Sequence, residues 1–222
     1  MAHEIKSPKD FHNMVQLYED ANNSVIYRGV TDATYQLFTS VGRHLSHVPR
    51  RRQRAEEKDL FTQFKVLATQ YLANRPADDW EWMATAQHYR LPTRLLDWSM
   101  NPLVAAYFAI SESKNTDGAI YAFKNEYMVL SVDYKSPFTV PSVVEFHPHH
   151  ITQRITAQAG VFTVHPDPFK PFNSRSIDKW IIKNSFKKDF LNMLKSYGVN
   201  ASTVFPDLEG VSAYLKWLWS DA

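Results

Sequence analysis

Residues 87–99 read QHYRLPTRLLDWS, the densest run of charged, polar and aromatic side chains in the chain. Pro92 lies in its middle, and a proline ring disfavours the α conformation in the residue before it. The run therefore predicts a bend between two helices. Binding and catalytic side chains concentrate on such connecting segments when a rigid scaffold holds them. We expect the polar side chains of this run to converge on a cleft.

A purely structural interpretation of the same run stays open. Arg94 and Asp97 are three residues apart and could pair with each other. Trp98 could then lie in the core, and Ser99 could cap the helix that follows. Composition alone does not choose between the two interpretations.

The residues before and just after this run predict helices. Apolar side chains recur at the 3.6-residue helical spacing, and capping residues precede the repeats. The predicted helices cover residues 8–21, 54–73, 79–88 and 101–110. Residues 24–28, SVIYR, predict one short buried strand that Gly29 closes.

The second half of the chain predicts strands. They are expected at residues 119–123, 128–132, 141–146, 160–165 and 180–183. Two helices follow, over residues 186–197 and 208–219, with Gly198 as a left-handed stop after the first. Helices dominate the first half and strands the second. The sequence therefore predicts a single α+β domain over residues 1–222, with helices mainly in the N-terminal half packed on a mixed or antiparallel sheet.

Composition narrows the function classes. The chain has 222 residues, a net charge of +2 and no cysteine. The charge is too small to predict a nucleic-acid partner, and thiol catalysis and cysteine-bound metals are excluded. No apolar run reaches the roughly 18–20 residues of a membrane helix, and the N-terminus lacks the apolar core of a signal peptide. We expect a cytoplasmic protein without a membrane partner.

Several familiar sites are absent from the sequence. There is no Walker loop, no GxGxxG and no GxSxG. His147, His149 and His150 suggest a metal, but only Glu145 lies near them to complete a site. No metal is predicted.

Two further segments carry candidate binding groups. Tyr27, Arg28 and Gly29 end the predicted strand, so a guanidinium projects there beside a residue without a side chain, an arrangement suited to phosphate or carboxylate. Arg154 and Gln158 are four residues apart and share one face if that turn is helical. The ordinary alternative is that both segments are solvated surface. The five arginines of residues 43–54 are a candidate patch for polyanions, or a solvated helix face.

These segments together resemble the FRG domain family, named for an aromatic-Arg-Gly motif. The motif is Tyr27, Arg28 and Gly29 here. The long run AQHYRLPTRLLDWSMNPLVAAYFA at residues 86–109 is the most specific part, and residues 154–166 and 204–215 continue the resemblance. One departure is Arg90, where the pattern often has glycine, and its larger side chain is expected to narrow the cleft.

The order of the segments is also similar to that of ADP-ribosyltransferases, which implies a related fold and NAD as substrate. By that similarity Arg28 would bind the pyrophosphate or ribose of NAD, and Ser99 would order the nicotinamide side, fixed by Asp97 and Arg94. Gln158 falls near the position of the family's glutamate, but an amide cannot stabilise positive charge as a carboxylate does. The catalytic candidates are Arg28, His88, Asp97, Ser99 and Gln158. The ligand-binding candidates are Tyr27, Gly29, Thr93, Arg94, Trp98, Asn101 and Arg154.

Three functional hypotheses follow. The first is NAD-using ADP-ribosyl transfer or NAD glycohydrolysis in bacterial or phage defence or toxin-type conflict. The second is a non-catalytic module in which arginines bind a nucleotide, another anionic small molecule or a protein carboxylate. The third is an activity directed at RNA or DNA through the arginines of residues 43–54.

Overall fold

A seven-stranded sheet runs through the computed structural model, which describes residues 3–19, 25–111, 115–124, 134–148 and 153–220. The strands are β1 (His3–Ile5), β2 (Val25–Val30), β3 (Leu95–Ser99), β4 (Gly118–Lys124), β5 (Val144–Phe146), β6 (Gly160–Val164) and β7 (Ile177–Ile182). Their spatial order is β1-β7-β4-β2-β3-β6-β5. The pair β1/β7 is parallel and the other pairs are antiparallel.

Helices are interspersed with these strands in both halves of the described chain. The α-helices are α1 (Pro8–Glu19), α2 (Ser40–His44), α3 (Arg50–Ala68), α4 (Asp79–His88), α5 (Pro102–Ile110), α6 (Gln153–Ala157), α7 (Lys187–Ser196), α8 (Ala201–Val204) and α9 (Leu208–Ser220). Helices with a mixed sheet confirm the predicted α+β class. In the described ranges, no helix has the length and apolar character needed to cross a bilayer.

Helix α5 packs tightly against β2 and β4 and forms the centre of the largest core cluster, with α1 and α7 beside it. Two glycines permit this close approach. A Cβ at Gly29 would lie 1.9 Å from the main-chain oxygen of Ala105, and one at Gly118 would lie 2.2 Å from that of Ala109. The glycine after Arg28 is therefore required by helix α5.

A second core cluster joins α3 and α4 to β3, β5 and β6. Leu95 belongs to this cluster, whereas Leu96 and Trp98 belong to a third cluster with residues of β2 and β4. Successive residues of β3 thus enter different cores, as expected for a strand covered on both faces.

The predicted bend at residues 87–99 is a partial error. Helix α4 ends at His88, but the run then continues into strand β3 instead of leading directly to a helix. A strand buried on both faces shows no apolar–polar alternation, so its period was hidden in the sequence. The short strand β1 was also missed, since its three residues carry too little pattern.

The other predicted elements are found with shifted ends. Helix α3 begins at Arg50, earlier than predicted, and Gly198 has the expected left-handed φ of 77°. The predicted strand at residues 128–132 lies outside the described residues. The single domain over residues 1–222 stays a prediction.

Candidate functional site

A cleft of about 440 Å³ opens beside β2, β3 and β6 and is walled by residues of α4, α5 and α6. We call it the inner cleft. Its apolar lining includes Trp98, Phe108 and Phe162. Its polar lining comprises Tyr27, Arg28, Ser40, Arg43, Gln87, His88, Arg90, Asp97, Ser99, Arg154 and Gln158.

Arg28 is held at the point where β2 and β3 separate. The two strands pair through a single register position, Tyr27 opposite Ser99. Beyond it, Arg28 Nη1 donates to the main-chain oxygen of Asp97 at 2.6 Å and lies 3.4 Å from Oδ2 of the same residue. The Arg28 side chain is 21% exposed. A partly buried guanidinium fixed in this way is already oriented before any ligand is present.

A hydrogen-bond relay fixes the carboxylate of Asp97. Thr93 Oγ1 donates to Gln87 Oε1 at 2.6 Å, and Gln87 Nε2 donates to Asp97 Oδ1 at 2.9 Å. The Asp97 side chain remains 54% exposed. It therefore presents an oriented carboxylate to the inner cleft.

The charge of the inner cleft is strongly positive. Arg28, Arg43, Arg90 and Arg154 line it, and Asp97 is the one carboxylate among the described lining residues. Burial lowers the pKa of Arg43, and the nearby Arg28 lowers it further while Asp97 opposes both. A low-dielectric cleft with this charge pattern attracts anions.

His88 contributes a neutral polar group at ordinary pH. Burial lowers its pKa, and the positive charge of Arg154 lowers it further. With a pKa below the usual value, the imidazole accepts or donates hydrogen bonds near pH 7 without adding charge.

A wider groove of about 770 Å³ adjoins the inner cleft. We call it the outer groove. The two cavities share His88, Arg90 and Arg154. The segment from Pro206 to Glu209 lines the far side of the outer groove and adds the carboxylates of Asp207 and Glu209.

Arg154 reaches both cavities from α6. Arg154 and Gln158 were expected to share one face if the chain between them were helical. That turn is helical, because α6 covers Gln153–Ala157 and the Gln158 N–H donates to the main-chain oxygen of Arg154. The guanidinium carbon of Arg154 lies 4.8 Å from the centroid of the Phe205 ring, a cation–π contact that orients it.

Comparison with known proteins identifies the segment that carries most of this cleft. Residues 23–118 match the FRG domain. No curated protein and no solved structure matches the chain. The match supports the FRG resemblance, but the comparisons give no support to a relationship with ADP-ribosyltransferases.

The FRG match contains Arg28, Arg43, His88, Arg90 and Asp97 and ends before α6 and β6. The part of the inner cleft that carries Arg154 therefore lies outside the matched FRG segment. It comes from the continuation of the chain.

Ser99 and Gln158 line the inner cleft, but their polar atoms form hydrogen bonds within the chain. Ser99 Oγ donates to the main-chain oxygen of Gln158 at 2.6 Å and accepts from the main-chain N–H of Asn101. Gln158 Nε2 donates to the main-chain oxygen of Val204 at 3.2 Å. Asn101 is the N-cap of α5 and does not line the cleft. These contacts give all three residues positions in the framework.

Arg94 and Thr93 lie in the interior and do not line the cleft. Arg94 is 3% exposed and forms a bidentate pair with Glu57, at 2.8 and 2.6 Å. The structure therefore separates Arg94 from Asp97, which the sequence left as a possible pair. Thr93 acts through Gln87, as described above.

Tyr27, Gly29 and Trp98 also line the inner cleft. Burial raises the pKa of Tyr27 to about 12, so its hydroxyl stays protonated. Trp98 Nε1 donates to Thr163 Oγ1 at 2.8 Å, which fixes the indole as part of the core.

Sequence reasoning missed Gln87 and Arg43 as cleft residues. Gln87 opens the quoted run, but its neutral side chain gave no signal until Asp97 was found beside it. Arg43 was assigned to a polyanion patch, of which Arg50, Arg52 and Arg54 instead contact acceptors of the chain itself.

In the ranges that the structure describes, no three His, Asp or Glu side chains lie close enough together to hold a metal ion. His147 Nε2 lies 2.7 Å from Glu145 Oε1. His149 and His150 lie outside the described residues.

Proposed function

We propose that this chain binds a phosphate-bearing nucleotide in the inner cleft, with NAD as the first candidate ligand. One observation carries the proposal: four arginines line the inner cleft against a single carboxylate among its described lining residues. Arginine matches the geometry of phosphate oxygens and gives paired hydrogen bonds to them.

The rest of the inner cleft suits a base or a ribose. Trp98, Phe108 and Phe162 supply apolar surface, and the Gln87 amide, held by Thr93 and Asp97, supplies a directed polar group. A volume of about 440 Å³ lies within the range of small-molecule sites, which is about 300–1,000 Å³.

Arg28 is the proposed anchor of the phosphate. Both of its contacts with described residues use Nη1, so in this part of the chain the N–H groups of Nε and Nη2 are left for a ligand. Because the main-chain oxygen of Asp97 already holds the guanidinium, little side-chain entropy is lost on binding.

A thermal-shift titration tests the proposal. Millimolar NAD, ADP-ribose and AMP are expected to raise the melting temperature of the wild-type chain, because a ligand that binds only the folded state stabilises it. Arg28→Ala is expected to lose most of that shift. Arg75→Ala removes an exposed arginine outside the cleft and is expected to keep it. A wild-type chain that no nucleotide stabilises would refute the proposal.

A second candidate function is transfer or hydrolysis of the ADP-ribose part of NAD. The position of Asp97 favours it, because an oriented and half-exposed carboxylate in the inner cleft is suited to stabilise an oxocarbenium-like transition state. This activity would deplete NAD, which fits the role in phage defence or toxin-type conflict that the resemblance implies. Release of nicotinamide by the wild type, lost in Asp97→Asn, is the expected result. If the wild-type chain binds NAD but releases no nicotinamide, the catalytic function is refuted and only the binding function stands.

A further inference from the structure

Arg90 has a backbone conformation that an arginine rarely adopts. Its φ is 64°, in the left-handed region, two residues after the end of α4. A side chain with a Cβ is strained there, and glycine is the residue that fits without cost. The main chain is nevertheless fixed in place by two hydrogen bonds. The Arg90 N–H donates to the main-chain oxygen of Gln87 at 3.0 Å, and the Leu91 N–H donates to the main-chain oxygen of Ala86 at 2.9 Å.

The side chain of Arg90 makes no compensating contact. Within the described part of the chain its guanidinium has neither a hydrogen bond nor an ion pair, and the residue is exposed. Stability therefore does not account for an arginine at this position. Strained backbone conformations cluster at functional sites. Because the fold gains nothing from the Arg90 side chain, we infer that this side chain has a role in binding.

The position of Arg90 defines that role. Among the described residues, Arg90, Arg154 and His88 are the three that line both the inner cleft and the outer groove. His88 is neutral near pH 7, because its pKa is lowered by burial and by Arg154. The junction of the two cavities thus presents two arginines and no negative charge of its own.

The neighbouring charges limit where an anion can lie. Asp207 and Glu209 line the outer groove and repel anions on that side. Arg28 and Arg43 line the inner cleft but not the outer groove, and they lie close enough for Arg28 to lower the pKa of Arg43. The inner cleft therefore contains two positive centres, one at Arg28 and Arg43 and one at the junction.

We propose that Arg90 and Arg154 form a second anion subsite at this junction, so that the ligand is a nucleotide with at least two phosphates. This inference rests on the proposed nucleotide-binding function. Arg28 holds one phosphate, and Arg90 with Arg154 holds the next. Arg90 is then the residue that selects a diphosphate over a monophosphate.

Calorimetric titration of ADP-ribose and AMP into wild type and Arg90→Gly tests the subsite. Glycine removes the guanidinium and relieves the backbone strain together, so the melting temperature of Arg90→Gly is expected to equal or exceed that of the wild type. Its affinity for ADP-ribose is expected to fall roughly tenfold or more, since a charge-assisted hydrogen bond is lost. Its affinity for AMP is expected to change less than about threefold, because AMP reaches only the Arg28 centre.

Two control variants separate strain from charge. Ala159 also has a positive φ, of 45°, so Ala159→Gly relieves strain without removing a charge and is expected to bind ADP-ribose as the wild type does. Arg75→Ala removes a positive charge outside both cavities and is expected to do the same.

The possible results separate the subsite at Arg90 and Arg154 from nucleotide binding in general. Wild type that binds ADP-ribose and an Arg90→Gly variant that binds it equally well would overturn the subsite and leave nucleotide binding intact. Equal loss of AMP and ADP-ribose binding in Arg90→Gly would overturn the selectivity for a diphosphate. Wild type that binds neither nucleotide would overturn both the proposed function and the subsite.

Discussion

Arg28 Nη1 lies 2.6 Å from the main-chain oxygen of Asp97 and 3.4 Å from its carboxylate. The shorter contact does not depend on the Asp97 side chain. The guanidinium is therefore held by the backbone of β3, and the carboxylate is free to have a different role.

Asp97→Asn is expected to leave Arg28 in place and to remove one negative charge from the inner cleft. Binding of ADP-ribose should then become tighter by roughly two- to fivefold, because like-charge repulsion between the carboxylate and the phosphates is lost. Calorimetry at low and at physiological salt measures the change. Weaker binding in Asp97→Asn, with the melting temperature unchanged, would show that the carboxylate itself holds the ligand.

Gly29→Ala is expected to destabilise the fold. The new Cβ would lie 1.9 Å from the main-chain oxygen of Ala105, so α5 must move away from the sheet. Overpacking of this kind costs about 1–3 kcal/mol or more. Gly160→Ala is the matched control, since its nearest neighbour would be at an ordinary 3.4 Å. Urea denaturation of both variants gives the comparison, and equal midpoints would contradict the packing described for α5.

Glu57→Ala is expected to be among the most destabilising substitutions of a charged residue. It leaves the buried guanidinium of Arg94 without its counter-ion, although the main-chain oxygens of Pro137 and His165 still accept from it. Breaking a buried pair in this way costs about 3–5 kcal/mol. Glu56→Ala breaks the more exposed pair with Arg52 and is expected to cost under about 1 kcal/mol. Similar unfolding free energies for the two variants would contradict this difference.

The stability of the wild type is expected to fall in mild acid because of His165. Burial, with a smaller effect of Arg94, lowers the pKa of His165 to about 4 from the ordinary 6.5. The unfolded state therefore binds more protons between these values. The free energy of unfolding should be full above about pH 6.5 and decline as the pH falls towards 4, by on the order of 3 kcal/mol.

His165→Gln isolates that contribution. The wild-type chain should lose stability relative to this variant as the pH falls from about 6.5 to 4, measured by chemical denaturation at each pH. A constant difference between the two chains across this range would show that His165 does not titrate there.

Much of the fold was predictable, because the apolar spacing and the capping residues of a helix lie close together in the sequence. Asp78 accepts hydrogen bonds from the main-chain N–H groups of Trp80 and Glu81, as expected of the aspartate that caps the N-terminus of α4. Strand β3 was not predictable in the same way, since both of its faces are buried and its alternation is lost among apolar residues.

The candidate site was predictable in part. Arg28, His88, Asp97 and Arg154 were named from the sequence and meet at the inner cleft. Arg94 was not distinguishable from them, because its partner Glu57 is 37 residues away in the chain. An arginine does not by itself indicate a positive φ, and the one hint at Arg90 was the glycine that the family pattern often has at this position.

We propose that the arginines of the inner cleft bind the phosphates of a nucleotide. The most direct test is calorimetric titration of NAD and of adenosine into the wild-type chain and into Arg28→Ala. NAD is expected to bind the wild type, more weakly as salt is raised, and to lose at least roughly tenfold in affinity with Arg28→Ala, while adenosine binds both chains weakly and equally. Absence of NAD binding, or binding that is indifferent to salt and to Arg28, would contradict the account.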